Sequence, residues 1–509
     1  MTLSRRGLLV LSAANGALLT TLAPPRGIAQ SLQGTVDVMQ FGAKGDGQAD
    51  DSPAIQAALD SGASVIRFPA GTYMLGSALI PRSRQVWRGD GQAITVLALP
   101  DNGRAPYNLV QTRSSIAQLS ISGLQFRGNR PLQKQRSPDG QAPFGLYLRG
   151  GCTDIDIQEC TFRDLGNSSV PANRTGGGGI VLGPIPGAPD QTVENITIRH
   201  CRFAANGNVP GIYIGGGDMP GFRRRNISVL DNEFEGVPEG TRAQNCIYIL
   251  AESPAAEITN VTIANNRFHV DAMVDALIEL NWVRSFTITG NSGVFDSALP
   301  DSSAMLIRDG AVDGVISANS FVNRSGVERV VGIILVNFVD PGEVSGIVIT
   351  GNSLRGFSRA GIAVDRGSNT VIVQGNRIEG PGNAGIRIAA ASNVLVANNL
   401  LSGLQTAIQL AARTPGAPTR GVQLTGNRIT DSGGDGACLI DVDGDLIDVQ
   451  DLLITHTAVH SPRAGTKALA SGRFRKADGN ILRDNQVGSL ALVAGGEEGG
   501  YETIRKADD

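Results

Sequence analysis

Short stretches in which apolar and polar residues alternate recur along most of the chain. Each ends in a common motif, apolar-x-apolar-x-x-Asn-x-apolar, and clear copies stand at 227–234, 261–268, 347–354, 371–378 and 422–429. The alternation predicts a short strand with one buried face. A strand, a corner and a loop of variable length make up one coil of a parallel β-helix.

The corner of the motif is usually asparagine. The eleven corner positions are Leu124, Cys160, Cys201, Asn232, Asn266, Asn291, Asn319, Asn352, Asn376, Asn399 and Asn427. Successive corners are 23 to 41 residues apart, and such irregular steps exclude an array of helical repeats. We expect asparagine here because it tolerates a left-handed backbone and because stacked amides hydrogen-bond into a ladder.

A second alternating segment follows each corner. Its copies stand at 145–148, 179–182, 211–214, 246–249, 332–335, 361–364, 385–388 and 407–410. Their isoleucines, leucines and valines are expected to fill the bore, together with a stack of Phe126, Phe162, Phe203, Phe234, Phe268 and Phe321. The prediction is an all-β fold, a single-stranded parallel β-helix of about 11 to 13 coils and about 50 Å length.

The pattern divides the chain into four parts. We predict a leader at 1–29, an N-terminal cap with the first coils at 30–105, the β-helix at 106–460, and a C-terminal cap or tail at 461–509. The cap should contain a short helix at 54–59, with Ser52 as N-cap and Pro53 in the first turn. A degenerate extra coil is expected at 481–487.

The first 29 residues look like an export signal. Arg5 and Arg6 precede an apolar stretch, which resembles a twin-arginine motif, and 27–29 is a small-x-small cleavage site. An ordinary secretory signal is the alternative. The expected location is periplasmic or extracellular by the twin-arginine route. Cleavage would change the formal charge from −3 to −6, and no apolar run after residue 30 is long enough to span a membrane.

Composition narrows the partners and the redox chemistry. A mildly acidic chain with 18% charged residues is not a basic nucleic-acid binder. The five cysteines form no close pair, so we expect small buried thiols and not a disulfide framework.

Three segments near the start carry a family resemblance: 41–47 (Phe-Gly-Ala-Lys-Gly-Asp-Gly), 50–58 (Asp-Asp-Ser-Pro-Ala-Ile-Gln-Ala-Ala) and 68–73 (Phe-Pro-Ala-Gly-Thr-Tyr). They resemble the N-terminal signature of the pectate-lyase superfamily, which includes polygalacturonase-like enzymes. With the leader, the chain also resembles exported bacterial β-helix repeat proteins of unassigned function. The resemblance implies a right-handed β-helix, a polysaccharide partner, and a structural role for Asp46, Asp50 and Asp51.

The hydrolytic motifs of polygalacturonases do not occur in this sequence. At the place of the Gly-Asp-Asp-Cys-Ile-x-Ile motif stand Gln244 and Asn245, followed by Cys-Ile-Tyr-Ile. Amides cannot act as general acid or base. Arg387 begins an Arg-Ile-Ala segment that lacks the family's lysine, and no Gly-His-Gly is present.

The solvent-facing positions of the second segment suggest a site. Tyr147, Val181, Tyr213 and Tyr248 should form one row, and Glu279 joins it if Leu280 aligns with Ile249. Aromatic faces beside carboxylates suit a sugar ring. The candidate binding residues are Tyr213, Tyr248, Gln244, Asn245, Glu252, Arg308 and Asp309. Asp275 with Glu279 is the candidate catalytic pair.

No metal site or cofactor is predicted. The segment 441–445 (Asp-Val-Asp-Gly-Asp) hints at calcium but lacks the full loop spacing of a calcium motif. Three functions remain open: a lyase, hydrolase or epimerase of an acidic or envelope glycan, a non-catalytic glycan-binding protein, and a structural envelope protein. The sequence does not indicate an oligomeric state.

Overall fold

The structure is a computed structural model. The residues that it describes are 34–100, 108–112, 114–129, 143–166, 178–185, 191–204, 206, 211–215, 223–236, 245–251, 253, 256, 258–270, 275–296, 298–339, 343–411, 419–442, 449–471 and 481–494. The predicted leader and the end of the predicted tail lie outside these residues.

Three long parallel sheets wrap around one bore. Sheet 1 contains Thr35–Asp37, Val65–Phe68, Gln85–Gly89, Ile116–Ser122, Cys152–Gln158, Thr192–Arg199, Arg223–Leu230, Ile258–Ala264, Val283–Thr289, Val312–Ser317, Val344–Thr350, Ser368–Gln374, Ser392–Ala397, Thr419–Thr425, Val449–Gln450, Leu453–Thr455 and Ile481–Arg483. Sheet 2 contains Asp46–Asp50, Gly71–Met74, Thr95–Ala98, Gln125–Arg127, Thr161–Arg163, Arg202–Ala204, Glu233–Glu235, Arg267–Val270, Ser292–Phe295, Ser320–Asn323, Ser353–Arg355, Arg377–Glu379, Leu400–Ser402, Arg428–Thr430 and Ala458–His460.

Sheet 3 carries the second alternating segment of each coil. It contains Val110–Thr112, Leu146–Arg149, Ile180–Gly183, Ile212–Gly215, Ile247–Leu250, Ala276–Asn281, Ser303–Arg308, Val331–Val336, Ala360–Val364, Ala384–Ile388, Thr406–Leu410, Cys438–Val442, Ala468–Ala470 and Ala491–Val493. Each strand pairs in parallel with the strand one coil away, for example Ile212 with Ile247 and Ile247 with Ile278. The parallel β-helix predicted from the repeat is confirmed.

The buried amide ladder is present as expected. From Asn232 to Asn427, each of the eight asparagines is at most 1% exposed. Each of the first seven donates from Nδ2 to the Oδ1 of the next, at 2.9–3.0 Å. Every Nδ2 also reaches a backbone carbonyl of the preceding coil. The amides are therefore saturated with hydrogen bonds, which offsets the cost of burying them.

The expectation that the corner asparagine itself has a left-handed backbone is wrong. The left-handed residue is the one before the ladder position, such as Asp231 (φ 54°), Asn265 (φ 58°) and Ala318 (φ 55°). The bend between sheets 1 and 2 takes its positive φ from that residue. The ladder asparagine is selected for its two donors and its acceptor.

The phenylalanine stack runs beside the ladder inside the bore. Rings of Phe126, Phe162, Phe203, Phe234 and Phe268 lie 4.8–5.1 Å apart at interplanar angles of 6–10°. Gly293 interrupts the series, so Phe268 and Phe321 meet across it at 6.2 Å and a tilt of 46°. The rings follow the coil spacing because each occupies the same position of its coil.

The N-terminal cap differs from prediction at its helix start. The helix is Ser52–Asp60, with Asp51 as N-cap residue, and it follows a 3-10 turn at Val38–Phe41. The Asp51 carboxylate accepts hydrogen bonds from the backbone N–H of Lys44 (2.6 Å) and Gly45 (3.1 Å). Asp50 accepts from the backbone and hydroxyl of Ser52. These carboxylates therefore have a structural role: Asp51 holds the loop at Lys44 and Gly45 against the start of the helix, and Asp50 binds Ser52.

The C-terminal boundary also differs from the expected one. Strands Ala468–Ala470, Ile481–Arg483 and Ala491–Val493 add to the existing sheets, so coils continue well past residue 460. The Asn485 side chain accepts from the backbone of Thr457 at 2.9 Å, in the manner of the ladder. The degenerate coil expected at 481–487 is therefore part of the rod.

The cysteines form no disulfide bond. All five cysteines are free, and Cys152, Cys160 and Cys201 are buried. Cys160 and Cys201 occupy ladder positions, and their thiols point at carbonyl oxygens of the preceding coil. Within the described ranges, no helix is long and apolar enough to cross a membrane.

The ladder makes a prediction for Asn319→Ala. The change removes the acceptor used by the N–H and Nδ2 of Asn291, and it removes the donor to the carbonyl of Ile288. Orphaned buried groups cost about 1–3 kcal/mol each, so we expect a loss on the order of 3 kcal/mol in unfolding free energy. Denaturant titration followed by circular dichroism measures it.

The matched control is Asn369→Ala. Asn369 also bridges neighbouring coils, to Glu343 and Asn393, but at the exposed surface. Water replaces these bonds, so this variant should lose less than about 1 kcal/mol. Equal losses in both variants would contradict a special role for the buried ladder.

Candidate functional site

The outward-facing row of sheet 3 has the predicted register. Tyr213 pairs with Tyr248, Tyr248 with Glu279, and Ile249 with Leu280. Because Leu280 aligns with Ile249, Glu279 lies in the row as predicted. The rings of Tyr213 and Tyr248 contact edge to face, with centroids 5.5 Å apart.

The N-terminal end of the row, at Tyr147, is buried. Tyr147 stacks on Phe144 at 5.4 Å, packs with Val181, and is only 8% exposed. Its ring thus belongs to a small apolar cluster on the outer face of the sheet. The part of the aromatic row that stays accessible is Tyr213 with Tyr248.

Glu279 is a carboxylate fixed from two sides. It is 4% exposed, its Oε1 lies 2.7 Å from Nε of Arg308, and its Oε2 accepts from Nδ2 of Asn245 at 2.5 Å. Burial raises the pKa of this carboxyl above its ordinary value, against the charge of Arg308, and the nearby Asp275 raises it further. A raised pKa makes this carboxylate a better proton acceptor than an exposed glutamate.

Arg308 contacts Glu279, Asp309, Tyr248 and Phe338. One Nη lies 3.4 Å from Oδ2 of Asp309, the other donates to the Tyr248 hydroxyl at 3.4 Å, and the guanidinium lies 5.8 Å from the ring centre of Phe338. Its strand, Ser303–Arg308, pairs with that of Glu279. The guanidinium therefore joins residues from four successive coils.

Tyr248 is held in its protonated form. Burial raises the pKa of its hydroxyl well above the ordinary value, and the charge of Glu279 raises it further. At neutral pH the hydroxyl is thus a donor, to a ligand or to a leaving group.

Asp309 has a supporting role that differs from the expected sugar contact. It is 2% exposed, with φ 44°, directly after the strand of Arg308. Its Oδ1 accepts from the backbone N–H of Phe338 at 2.6 Å. The carboxylate therefore fixes the loop that follows the next strand of sheet 3.

Phe338 is the site residue that the sequence did not reveal. Its ring is 48% exposed, although its backbone is fixed by Asp309 and by Arg366, which donates to its carbonyl at 3.1 Å. An exposed aromatic ring on a tethered backbone is a platform for the apolar face of a sugar. Phe338 lies outside every repeat motif, so no periodic signal marks it.

The pairing of Asp275 with Glu279 stays a prediction. Asp275 is exposed and lies just before the strand Ala276–Asn281, four extended residues or about 13 Å along the chain from Glu279. Its influence on Glu279 is electrostatic. Gln244 and Glu252, also predicted here, lie outside the described residues.

In the described part of the chain, no group of three or more His, Cys, Asp or Glu side chains could hold a metal ion. Of the segment considered for calcium, Asp441 is described and Asp443 and Asp445 are not.

Two family models match the sequence. Residues 35–293 match rhamnogalacturonase A/epimerase, pectate lyase-like, and residues 302–446 match the right-handed β-helix region. The first match covers half of the chain. The chain belongs to the rhamnogalacturonase A/epimerase, pectate lyase-like family. The resemblance seen in the N-terminal signature and the right-handed β-helix are thereby confirmed. Tyr213, Tyr248 and Glu279 lie within the pectate lyase-like match, and Arg308 and Phe338 lie within the second.

Solved structures share the fold at low identity. Gene product 12 of bacteriophage phi29 aligns over 86% of this chain and 56% of its own, with 16% identity and TM-score 0.57. PfbA, a surface adhesin of Streptococcus pneumoniae, aligns over 75% and 93%, with 18% identity and TM-score 0.56. A tailspike protein mutant of E. coli bacteriophage HK620, in complex with a hexasaccharide, aligns over 90% and 77%, with 14% identity and TM-score 0.51. No curated protein matches the chain.

The raised pKa of Glu279 predicts a pH-dependent effect of Glu279→Gln. The folded state holds its proton more tightly than the unfolded state, so the wild type loses stability as pH rises through the folded pKa. The variant lacks this loss. Its melting temperature relative to wild type should therefore rise as pH increases from about 4, and level off once pH is above the folded-state pKa of the carboxyl.

Scanning calorimetry of the two proteins across this range measures the difference. Glu233→Gln is the control, because Glu233 is exposed on sheet 2 and its loss should leave the pH profile unchanged. A difference that stays flat or falls with pH would refute the assigned direction.

Proposed function

We propose that the protein acts on an acidic polysaccharide at the outer face of sheet 3, as a lyase or epimerase of uronate residues. The observation that carries the proposal is the cluster of Tyr248, Glu279 and Arg308, which places one buried carboxyl, one protonated phenol and one guanidinium together. Family membership supports a glycan substrate.

The cluster has the parts needed for proton transfer next to a sugar carboxylate. Glu279 takes the proton from the carbon that bears the carboxylate, and Arg308 offsets the charge that develops on that group. In a lyase, Tyr248 gives its proton to the departing glycosidic oxygen as the carbon–carbon double bond forms. In an epimerase, Tyr248 gives its proton to the opposite face of the same carbon.

Hydrolysis by two carboxylates fits this site less well. That chemistry needs a second free carboxyl about 5–10 Å from the first. Asp309 is engaged by the backbone of Phe338, and Asp275 is exposed before the strand.

Glycan binding without chemistry is the second candidate. It is favoured by the edge-to-face tyrosines and by the exposed ring of Phe338 beside Arg308, because neither aromatic contact depends on proton transfer. The activities of Glu279→Gln and Tyr248→Phe distinguish glycan binding from catalysis.

Glu279→Gln and Tyr248→Phe test the catalytic proposal. Each removes a proton-transfer group with little change of shape, so each should lower kcat by about 100-fold or more. The mature protein is supplied with uronate-rich and neutral polysaccharides. Unsaturated products are followed by absorbance, and deuterium uptake from heavy water is followed by NMR.

Glu233→Gln serves again as the matched carboxyl control and should keep full activity. If Glu279→Gln turns over substrate at the wild-type rate, the proton-transfer role is refuted. If wild type binds a polysaccharide but changes none, the binding function replaces the enzymatic one.

We also propose that residues 1–29 direct export by the twin-arginine route to the periplasm or beyond. Arg5 and Arg6 support this, followed by an apolar stretch and a small-residue cleavage site.

Replacing Arg5 and Arg6 together by lysine should abolish export while keeping the charge of the leader. Cell fractionation with immunoblotting in a bacterial host that has the pathway measures it. Arg26→Lys is the control and should be exported normally. Undiminished export of the double variant would leave an ordinary secretory signal.

A further inference from the structure

A polar cleft lies further along the same face of sheet 3. Its volume is about 670 Å³, within the usual range of ligand pockets. Arg387, Gln409 and Asp441 form part of its lining and pair in register on neighbouring strands. They occupy the same outward row as Glu279, and Arg387 is four strand steps from it, or about 19 Å.

The cleft has exposed ion pairs at its rim and one buried ion pair in its wall. Asp301 lies 2.9 Å from Arg329 and 3.7 Å from Arg359, and Arg387 is paired with the fully buried Asp365. Arg387, which is held by its buried partner, loses little entropy when a ligand binds.

The lining indicates which chemistry the cleft recognises. Every lining side chain is charged or carries an amide or a hydroxyl group, and none is aromatic or aliphatic. The three arginines of the lining are balanced by Asp301, Asp441 and the adjacent Asp365. Alternating donors and acceptors without net charge match the hydroxyl groups of a sugar better than an isolated anion.

The face between the two places is apolar. Leu306, Ile334 and Ala363 continue the row from Glu279 to Arg387, and a cluster around them is largely buried. Ile334 and Ala363 are at most 9% exposed, so a ligand that reaches both places passes over the residues that cover this part of the row.

We propose that this cleft is a second sugar-binding site, which holds a distant part of the same glycan chain through its hydroxyl groups. The proposal rests on the proposed function, because it takes the ligand to be a glycan that also occupies the Glu279 site. A chain of a few sugar residues along the axis of the rod would reach both places. Long oligomers should therefore bind more tightly than short ones.

The test measures binding in the Glu279→Gln protein, so that turnover does not interfere. Oligogalacturonate, oligomannuronate and dextran fractions of increasing length are titrated by calorimetry. We expect a step in affinity once an oligomer reaches both places. Adding Arg359→Ala with Gln409→Ala should remove the step, a loss of at least about tenfold for long oligomers, and leave short ones unchanged.

The control adds Arg355→Ala with Gln423→Ala instead. These exposed side chains lie on sheets 2 and 1, outside the cleft, so the step should persist. Circular dichroism melts confirm that both proteins are folded. A step that survives the cleft variants, or the absence of any step or binding with all three oligomer series, overturns the proposal.

The two proposals can fail separately. Wild-type turnover combined with a length-independent affinity removes the second site and leaves the catalytic function. A length step that depends on the cleft, without turnover of any of these glycans, supports the second site and removes the catalytic function.

Discussion

Stacking of successive coils in strict register is the constraint on which the rest of the structure depends. The buried amides enforce it, because each asparagine hydrogen-bonds to its counterpart one coil away and to a carbonyl of the preceding coil. A slip of one residue would leave these donors unpaired in the interior, at a cost of several kcal/mol. Tyr213, Tyr248 and Glu279, which are far apart in sequence, thereby follow one another on successive strands of one surface.

The register explains why part of the site could be predicted. Tyr213, Tyr248 and Glu279 each stand between two bore-facing residues, so their row followed from the alternation and from the coil alignment alone. The same reasoning brought Arg308 and Asn245 near them. It could not supply the direction of the contacts, which place Arg308 between Glu279, Asp309 and the ring of Phe338. Those contacts depend on side-chain conformations at strand ends, where the period-2 pattern stops.

The features that the pattern could not predict lie where the repeat ends. Asp275 lies just before the strand of Glu279, where the alternation no longer gives the direction of a side chain, so its pairing with Glu279 stays a prediction. Phe338 stands in a loop outside the repeat. Asp309 and Arg366 from neighbouring coils hold its backbone, and such single contacts leave no periodic pattern in the sequence. The coils after residue 460 lack most of the motif, although their strands pair as the others do. Pattern therefore predicts strands and faces, while loops and caps depend on individual contacts.

A rod of this kind separates the demands of stability from those of function. The bore is filled by aliphatic side chains, stacked rings and amides, whereas Tyr248, Glu279 and Arg387 stand on the outward row of sheet 3. The outward positions of sheet 3 can therefore change from tyrosine to glutamate to arginine along the axis while the register stays fixed. Each coil step displaces the next outward side chain by about 4.8 Å. Such a surface is matched to a linear polymer, because it offers a long ligand a succession of different contacts along one direction.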